Sequence, residues 1–399
     1  MLTVASPNCP AAPELLAILR PAASVFRFDI DGGLLLFDQR SNAVLVYNDS
    51  ARQIWDLIEA GCQVEDLVCE FARTWRISVS RARADVEPIV AQWRLQGIVA
   101  NEQEPTAAAL SVQDRVECHD LPLGPATEWT CEFGAVLVAF ASEEEIAPIR
   151  LILSQFETVS DEQPTARLEL RRAETGEMVL LKNGIQRIRT RDGALLLGGL
   201  SQAILECIHP GVQWLALIHG AAVAHNGTAF ALLGPSGSGK TTLTAGLIGN
   251  GFTYLADDLV AVMEPQGAIA PWPLPLSVKD GSLDLLARLW PELEQAQTYR
   301  TKGFAARLLT PPSSGQDFDP VRLNSLIFIQ YREGCSPALQ RISCFQTIER
   351  LLSDRVWIGN PITIHRVSAL VEWLRVTPAY VCTYGSLQDG VRLLRELVQ

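Results

Sequence analysis

Over the first hundred residues the spacing of apolar positions changes once. Residues 25–30, 34–37 and 43–47 are short apolar or alternating runs. They are separated by Asp31-Gly32-Gly33 and by the turn formers of 38–42, which predicts three strands of a small antiparallel meander. From residue 48 the apolar positions recur every three or four residues, and three helices are expected. The first carries Ile54, Trp55 and Ile58, the second Val64, Leu67, Val68, Phe71 and Trp75, and the third Val86, Ile89, Val90 and Trp93. Asn48 or Asp49 opens the first and Gly61 ends it, whereas the third starts near Ser78 or Ser80 and stops at Gly97.

Residues 101–109, with Glu102, Glu104, Pro105 and an alanine run, read as a linker. The expected organisation is therefore a first domain at 1–100, a linker and small α+β lead-in at 101–200, and a larger domain at 201–399. In the lead-in, 135–139, 166–170 and 178–181 have the pattern of strands and 143–156 that of a helix, with no chemical motif. In the last domain, the apolar runs 219–225 and 228–233 flank Asn226-Gly227, a strong hairpin signal, and 254–256 reads as a further strand. Towards the end of the chain, 326–329 is a strand, 344–352, 368–375 and 387–397 are helices, and 381–384 is expected to add an edge strand.

Composition narrows the class. A chain of 399 residues, 48% hydrophobic and 20% charged, is ordinary for a soluble protein of two or three domains. Its net charge of −12 argues against nucleic acid as a partner. On the third helix, Arg81, Arg83 and Arg94 are offset by Asp85 and Glu87. The nine cysteines are scattered singly, without a C-x-x-C pair or a cysteine–histidine cluster, as in reduced cytosolic proteins. No apolar run reaches the roughly 18 residues of a membrane span, and the N-terminus lacks a secretion pattern, so the expectation is a cytoplasmic protein with no membrane partner.

The strongest chemical signal is Gly234-Pro235-Ser236-Gly237-Ser238-Gly239-Lys240-Thr241, which satisfies G-x-x-x-x-G-K-[ST] at every fixed position. The strand-like run 228–233 precedes it, and the helix-length stretch 241–250, closed by Gly251, follows. Such a turn at a helix N-terminus exposes backbone N–H groups to phosphates, and the lysine adds positive charge. Candidate nucleotide contacts are Gly234, Ser236, Gly237, Ser238, Gly239, Lys240, Thr241 and Thr242, and the Thr241 hydroxyl can hold Mg²⁺. Asp257 and Asp258 leave the 254–256 strand at the same end as the loop. A carboxylate there holds Mg²⁺ or accepts a proton from an attacking hydroxyl.

Two resemblances follow from these residues. Three strands followed by three helices, with an asparagine opening the first helix, the Asp85-Val86 pair in the third and the closing Gly97-Ile98-Val99, resemble the PqqD family of winged-helix-like peptide-recognition elements. Its members carry no catalytic residues. The resemblance implies binding of the leader of a ribosomally synthesised precursor peptide as an extra strand on the sheet edge, beside the third helix.

His219, the phosphate loop and Asp257-Asp258 together resemble HPr kinase/phosphorylase, a bacterial serine kinase related in fold to phosphoenolpyruvate carboxykinase. This likeness spans roughly residues 219–399 and is densest over 219–262. It implies an α/β P-loop domain using ATP and Mg²⁺, with Lys240 on the β- and γ-phosphates and Thr241 and Asp258 on the metal. Asp257 would be the base towards the acceptor hydroxyl, and His219 a polar group near the phosphates. The related group in peptide-modifying gene clusters, which includes the lasso-peptide kinases, phosphorylates a serine hydroxyl on a peptide. A proline-rich stretch followed by lysine is expected there, and this chain has Pro271-Trp-Pro-Leu-Pro-Leu-Ser-Val-Lys279, together with Thr301-Lys302-Gly303 and Pro378-Ala-Tyr380. Only four of the 33 basic residues are lysines, and Lys240, Lys279 and Lys302 are three of them. Lys279 and Lys302 are thus candidates for transition-state or acceptor contacts.

The arginine-glycine signature that follows the aspartates in HPr kinases, linked with phosphorolysis, is missing, which argues against a reverse reaction. The different N-terminal domain argues against HPr as substrate. The expected activity is ATP-dependent phosphorylation of a hydroxyl, serine by the resemblance, on a precursor peptide whose leader the first domain binds. A nucleotide-switched peptide-binding chaperone subunit and a nucleotidyltransferase stay open as alternatives, as does a homo-oligomer, since HPr kinases form hexamers. His119, His209, His225 and His365 are expected to be structural or surface residues.

Overall fold

A computed structural model describes residues 18–101, 127–131, 135–157, 164–296, 298–300, 305–311, 319–354, 356–359 and 362–397. They form two compact units. One draws on the spans Met1–Ser111, Ser343–Glu349 and Gly359–Arg375, the other on Val112–Ile342, Arg350–Ile358 and Val376–Gln399.

The first unit follows the order read from the sequence. After β1 (Leu19–Pro21) come β2 (Val25–Ile30), β3 (Gly33–Asp38) and β4 (Ala43–Asn48), an antiparallel sheet with β3 central. Helices α1 (Asp49–Ala60), α2 (Val64–Trp75) and α3 (Val79–Leu95) follow, and β5 (Val99–Asn101) returns to pair with β1. The Asn48 side chain accepts the Ala51 N–H at 3.1 Å and Ser78 accepts that of Arg81 at 3.2 Å, so both expected caps are made. Gly61 ends α1 in the left-handed region. The apolar faces of the three helices close on Leu34 and Leu36 of β3, with Trp55 and Trp93 edge to face at 5.4 Å. The β1–β5 pair is not visible in the sequence pattern, because each strand is only three residues long.

This unit also takes chain from far downstream. The Cys344 N–H donates to Asp31 Oδ1 at 2.9 Å, the Phe345 N–H donates to the Asp31 carbonyl at 3.4 Å, and the Arg375 guanidinium donates to the Asp29 carbonyl. At Gly33 a Cβ would lie 2.6 Å from the Phe345 ring and 2.2 Å from the Tyr47 carbonyl oxygen, so only glycine fits.

The second unit opens with a five-stranded sheet of β6 (Thr127–Cys131), β7 (Ala135–Phe140), β8 (Ala166–Arg172), β9 (Met178–Lys182) and β10 (Ile185–Thr190), in the order β10-β9-β8-β7-β6. Helix α4 (Glu143–Leu153) connects β7 with its parallel partner β8, and α5 (Gly193–Ile208) follows β10. The second sheet then begins with β11 (Trp214–Ile218), β12 (Gly220–His225) and β13 (Thr228–Leu233). Asn226 and Gly227, at φ 50° and 74°, make the hairpin between β12 and β13. Helix α6 (Lys240–Ile248) leads to β14 (Thr253–Ala256), β15 (Val260–Met263) and β16 (Ala268–Ala270). A smaller sheet of β17 (Leu276–Lys279), β18 (Thr298–Arg300) and β19 (Ala305–Leu309) flanks α7 (Asp280–Leu286) in sequence. The chain ends with β20 (Val321–Tyr331), β21 (Ala338–Ile342), α8 (Cys344–Ser353), β22 (Val356–Trp357), α9 (Ile364–Val376), β23 (Ala379–Tyr384) and α10 (Leu387–Glu396).

The large sheet runs β14-β12-β13-β20-β16-β15-β11-β22, with β23 beside β20 and β21 beyond β23. Strand β13 therefore has an antiparallel neighbour in β12 and a parallel one in β20. The expectation that 381–384 forms an edge strand is corrected: β23 is interior, paired parallel to β20 and antiparallel to β21. Its run Val381-Cys382 is buried because strands lie on both sides. Helices α6 and α10 cover one face of β13, β20 and β23, through Leu243, Leu247, Leu387 and Val391 over Ile327, Ile329 and Tyr384.

Candidate active site

The loop between β13 and α6 begins at Gly234, whose φ is 142° and where a Cβ would meet Ser238 Oγ at 3.0 Å and the Ile329 carbonyl at 3.3 Å. Gly239, at φ 96°, is the N-cap of α6, and no side chain caps that helix. The first-turn N–H groups are left for an anion, as a phosphate site requires. The Lys240 side chain, 7% exposed, folds back over the loop: its Nζ donates to the carbonyls of Gly234 and, at 3.2 Å, Pro235. Burial pulls its pKa down, and the charges of Asp354, Asp257 and Asp258 oppose that shift. Thr242 shares a 2.7 Å hydroxyl–hydroxyl hydrogen bond with Ser282 of α7.

Strand β14 runs antiparallel to β12 and so ends level with the loop. Asp257 is 2% exposed; its Oδ2 accepts the Thr241 hydroxyl at 3.3 Å, and its Oδ1 is buried without a hydrogen-bond partner. Burial, and then the charge of Asp258, push its pKa well above the usual carboxylate range. Asp258 adopts φ 64°, uncommon outside glycine, and is exposed. That turn sends consecutive carboxylates in different directions, one to the interior and one to solvent. The Asp258 carbonyl lies 3.2 Å from Nδ1 of the half-buried His219. The Thr241 hydroxyl meets the carboxylate of Asp257, next in the chain to Asp258, the residue the resemblance places on the metal with Thr241.

The proline-rich stretch also reaches the loop. The Trp272 N–H donates to the Leu255 carbonyl at 2.7 Å, and Tyr254 donates its hydroxyl to the Leu274 carbonyl, which pins the stretch along β14. Trp272 stacks on Phe156 at 5.0 Å. At the end of β17, Lys279 is exposed, and its Nζ donates to Ser236 Oγ at 3.4 Å. Lys302 lies outside the described residues. His209, on Trp214, and His225, on Phe252, make ring contacts; His119 lies outside the described residues.

Asp354 has no motif to mark it in the sequence. Ile218 pairs with Val260 on one side and with Val356 on the other. Asp258 and Asp354 each lie two positions before those partners, so β11 is flanked by acidic residues at the end that leads into His219. Among charged groups, Asp354 acts most strongly on Lys240. The strand that follows it is only two residues long, too short for any periodicity to reveal.

Among the described residues no three or more His, Cys, Asp and Glu side chains gather into a ready-made metal site. Mg²⁺ beside a nucleotide needs little more than one or two carboxylates, phosphate oxygens and waters. The unpartnered buried Asp257 Oδ1 next to the Thr241 hydroxyl suits that role. No described helix is long and apolar enough to cross a membrane, and Cys62, Cys69, Cys207, Cys335, Cys344 and Cys382 are free thiols.

No curated protein matches the sequence. Among solved structures, the Hpr(Ser) kinase/phosphatase from Coxiella burnetii is similar at 13% identity over 46% of this chain and 87% of that one, with a TM-score of 0.24. Residues 33–99 match the family described as Coenzyme PQQ synthesis protein D (PqqD), a span that runs from β3 to β5. The chain thus carries a PqqD-like domain in its first unit.

Proposed function

We propose that the protein is an ATP-dependent kinase that phosphorylates a hydroxyl, serine by the family resemblance, on a ribosomally synthesised precursor peptide. The observation that carries this reading is a phosphate loop facing a buried, incompletely bonded carboxylate, in the same chain as a PqqD-like domain. In the first unit, β4 pairs only with β3 among the described residues, and its Tyr47 packs edge-on to Trp93 of α3 at 5.2 Å. A leader strand added along β4 would lie beside α3 and raise the effective concentration of the attached core.

At the site, the loop amides and Lys240 hold the phosphates, which requires the Lys240 ammonium to leave the Gly234 and Pro235 carbonyls. Bound Mg²⁺, held by Thr241 with Asp257 or Asp258, would neutralise phosphate charge. With Asp258 as the carboxylate on the metal, Asp257 takes the proton of the acceptor hydroxyl. Lys279, placed at Ser236, adds charge on the outer side of the loop. The test is intact mass measurement of the precursor peptide after incubation with ATP, Mg²⁺ and the protein. One added phosphate, lost with Lys240→Ala, supports the kinase. A bound but unmodified peptide points to a nucleotide-switched carrier, and an added nucleotidyl group to nucleotidyl transfer.

A further inference from the structure

The phosphate loop has two unlike flanks. On the side of β12 and β14 the chain brings Asp257, Asp258 and His219 to the loop, whereas on the other side the parallel strands β20 and β23 end beside it. Triphosphate and metal belong on the acidic flank, and the rest of the nucleotide must leave over the parallel-strand ends, where ligands of open α/β sheets sit. The residue waiting there is Tyr331, the last of β20. It continues the face of Ile327 and Ile329, which pack in the core under α6 and α10, but it is 52% exposed.

Tyr331 is also tied to the loop. A Cβ added at Gly239 would lie 3.8 Å from the Tyr331 Cβ and 3.1 Å from the Tyr384 hydroxyl. The Tyr331 and Tyr384 rings are 5.8 Å apart, and the buried Tyr384 supports its neighbour from behind. The Arg332 N–H donates to the Tyr384 carbonyl at 3.0 Å, and a Cβ at Gly385 would meet the Cys335 carbonyl at 2.9 Å, so the turns after β20 and β23 are held together. An aromatic ring, backed by a second ring and left open to solvent beside a phosphate loop, offers a stacking platform.

From this placement we propose that Tyr331 stacks on the base of the bound nucleoside triphosphate. The inference rests on the phosphate-loop reading and adds the base subsite to it. Calorimetric titration of the full chain with ATP and, separately, with inorganic tripolyphosphate tests it. Tyr331→Ala is expected to weaken ATP about tenfold, the usual worth of one aromatic–base stack, and to leave tripolyphosphate affinity unchanged, while Tyr331→Trp keeps ATP affinity. Equal ATP affinity in wild type and Tyr331→Ala overturns the stacking role alone. An equal loss for both ligands also overturns it, since the ring then acts by shaping the loop. If wild type binds neither ligand, the phosphate-loop reading itself falls and the base subsite with it.

Discussion

Among the described residues each unit buries one aspartate, and the two are treated in opposite ways. Asp38, fully buried at the end of β3, accepts hydrogen bonds from the hydroxyls of Ser24 and Ser41, both at 2.6 Å, and from the Arg40 N–H at 3.2 Å. Burial alone would raise its pKa, but these bonds outweigh it and the carboxyl titrates below its usual value. Asp257 has a long 3.3 Å bond from the Thr241 hydroxyl, an orphaned Oδ1 and a pKa pushed up because burial and the charge of Asp258 outweigh its hydrogen bonds. A buried carboxylate with its partners supplied holds a fold together. One without them leaves a capacity for a ligand or a proton, and such perturbed groups concentrate at functional sites.

Replacing each aspartate should separate the two roles. Asp257→Asn is expected to lower the single-turnover rate of phosphate transfer by about 10²–10⁴-fold without lowering the melting temperature, because it replaces a buried, incompletely bonded carboxyl by a neutral amide of the same shape. Asp38→Ala should do the reverse. It should cost about 2–4 kcal/mol through three orphaned donors, seen as faster hydrogen exchange in β3, with little change in nucleotide affinity. A melting temperature that falls further for Asp257→Asn than for Asp38→Ala would break the comparison.

Acid should move the two sites in opposite directions. Asp38, with its pKa depressed in the folded state, contributes stability that is present above the unfolded value of 3.8 and lost as pH falls through the lower folded value. For Asp257, with its pKa raised, the cost of the ionised form is present above the folded value and disappears below it. Denaturation of wild type against Asp38→Asn and Asp257→Asn should show the Asp257 penalty shrinking first, as pH falls from its raised value towards 3.8, and the Asp38 advantage shrinking only below 3.8. A smaller effect is expected at Asp354. Asp354→Asn should reduce kcat/KM for ATP about fivefold, the worth of a partly screened charge pair of about 1 kcal/mol. The smallest is Asn48→Ala, which should destabilise α1 by about 0.5 kcal/mol through loss of its cap.

The first unit was largely legible because its signals are local: periods of two and three to four, Asn48 and Ser78 as caps, Gly61 and Gly97 as stops. What the sequence concealed there is non-local, namely the β1–β5 pair and the downstream Cys344, Phe345 and Arg375 that bond Asp29 and Asp31. In the second unit the phosphate loop, the Asn226-Gly227 hairpin and the strand before Asp257 were all legible as short motifs. The partition between the two aspartates was not, since it depends on the left-handed turn at Asp258. Nor were Asp354 and Tyr331, which reach the loop only through strand register, and register between distant strands leaves no mark on either one alone.

The central claim is that Asp257 serves phosphate transfer to a peptide hydroxyl. Its most direct test is the intact mass of the precursor peptide after incubation with ATP, Mg²⁺ and either wild type or Asp257→Asn. The account predicts one added phosphate with wild type and an unmodified peptide with the variant at the same time point, although the variant still binds ATP. Phosphorylation by Asp257→Asn at the wild-type rate would contradict it.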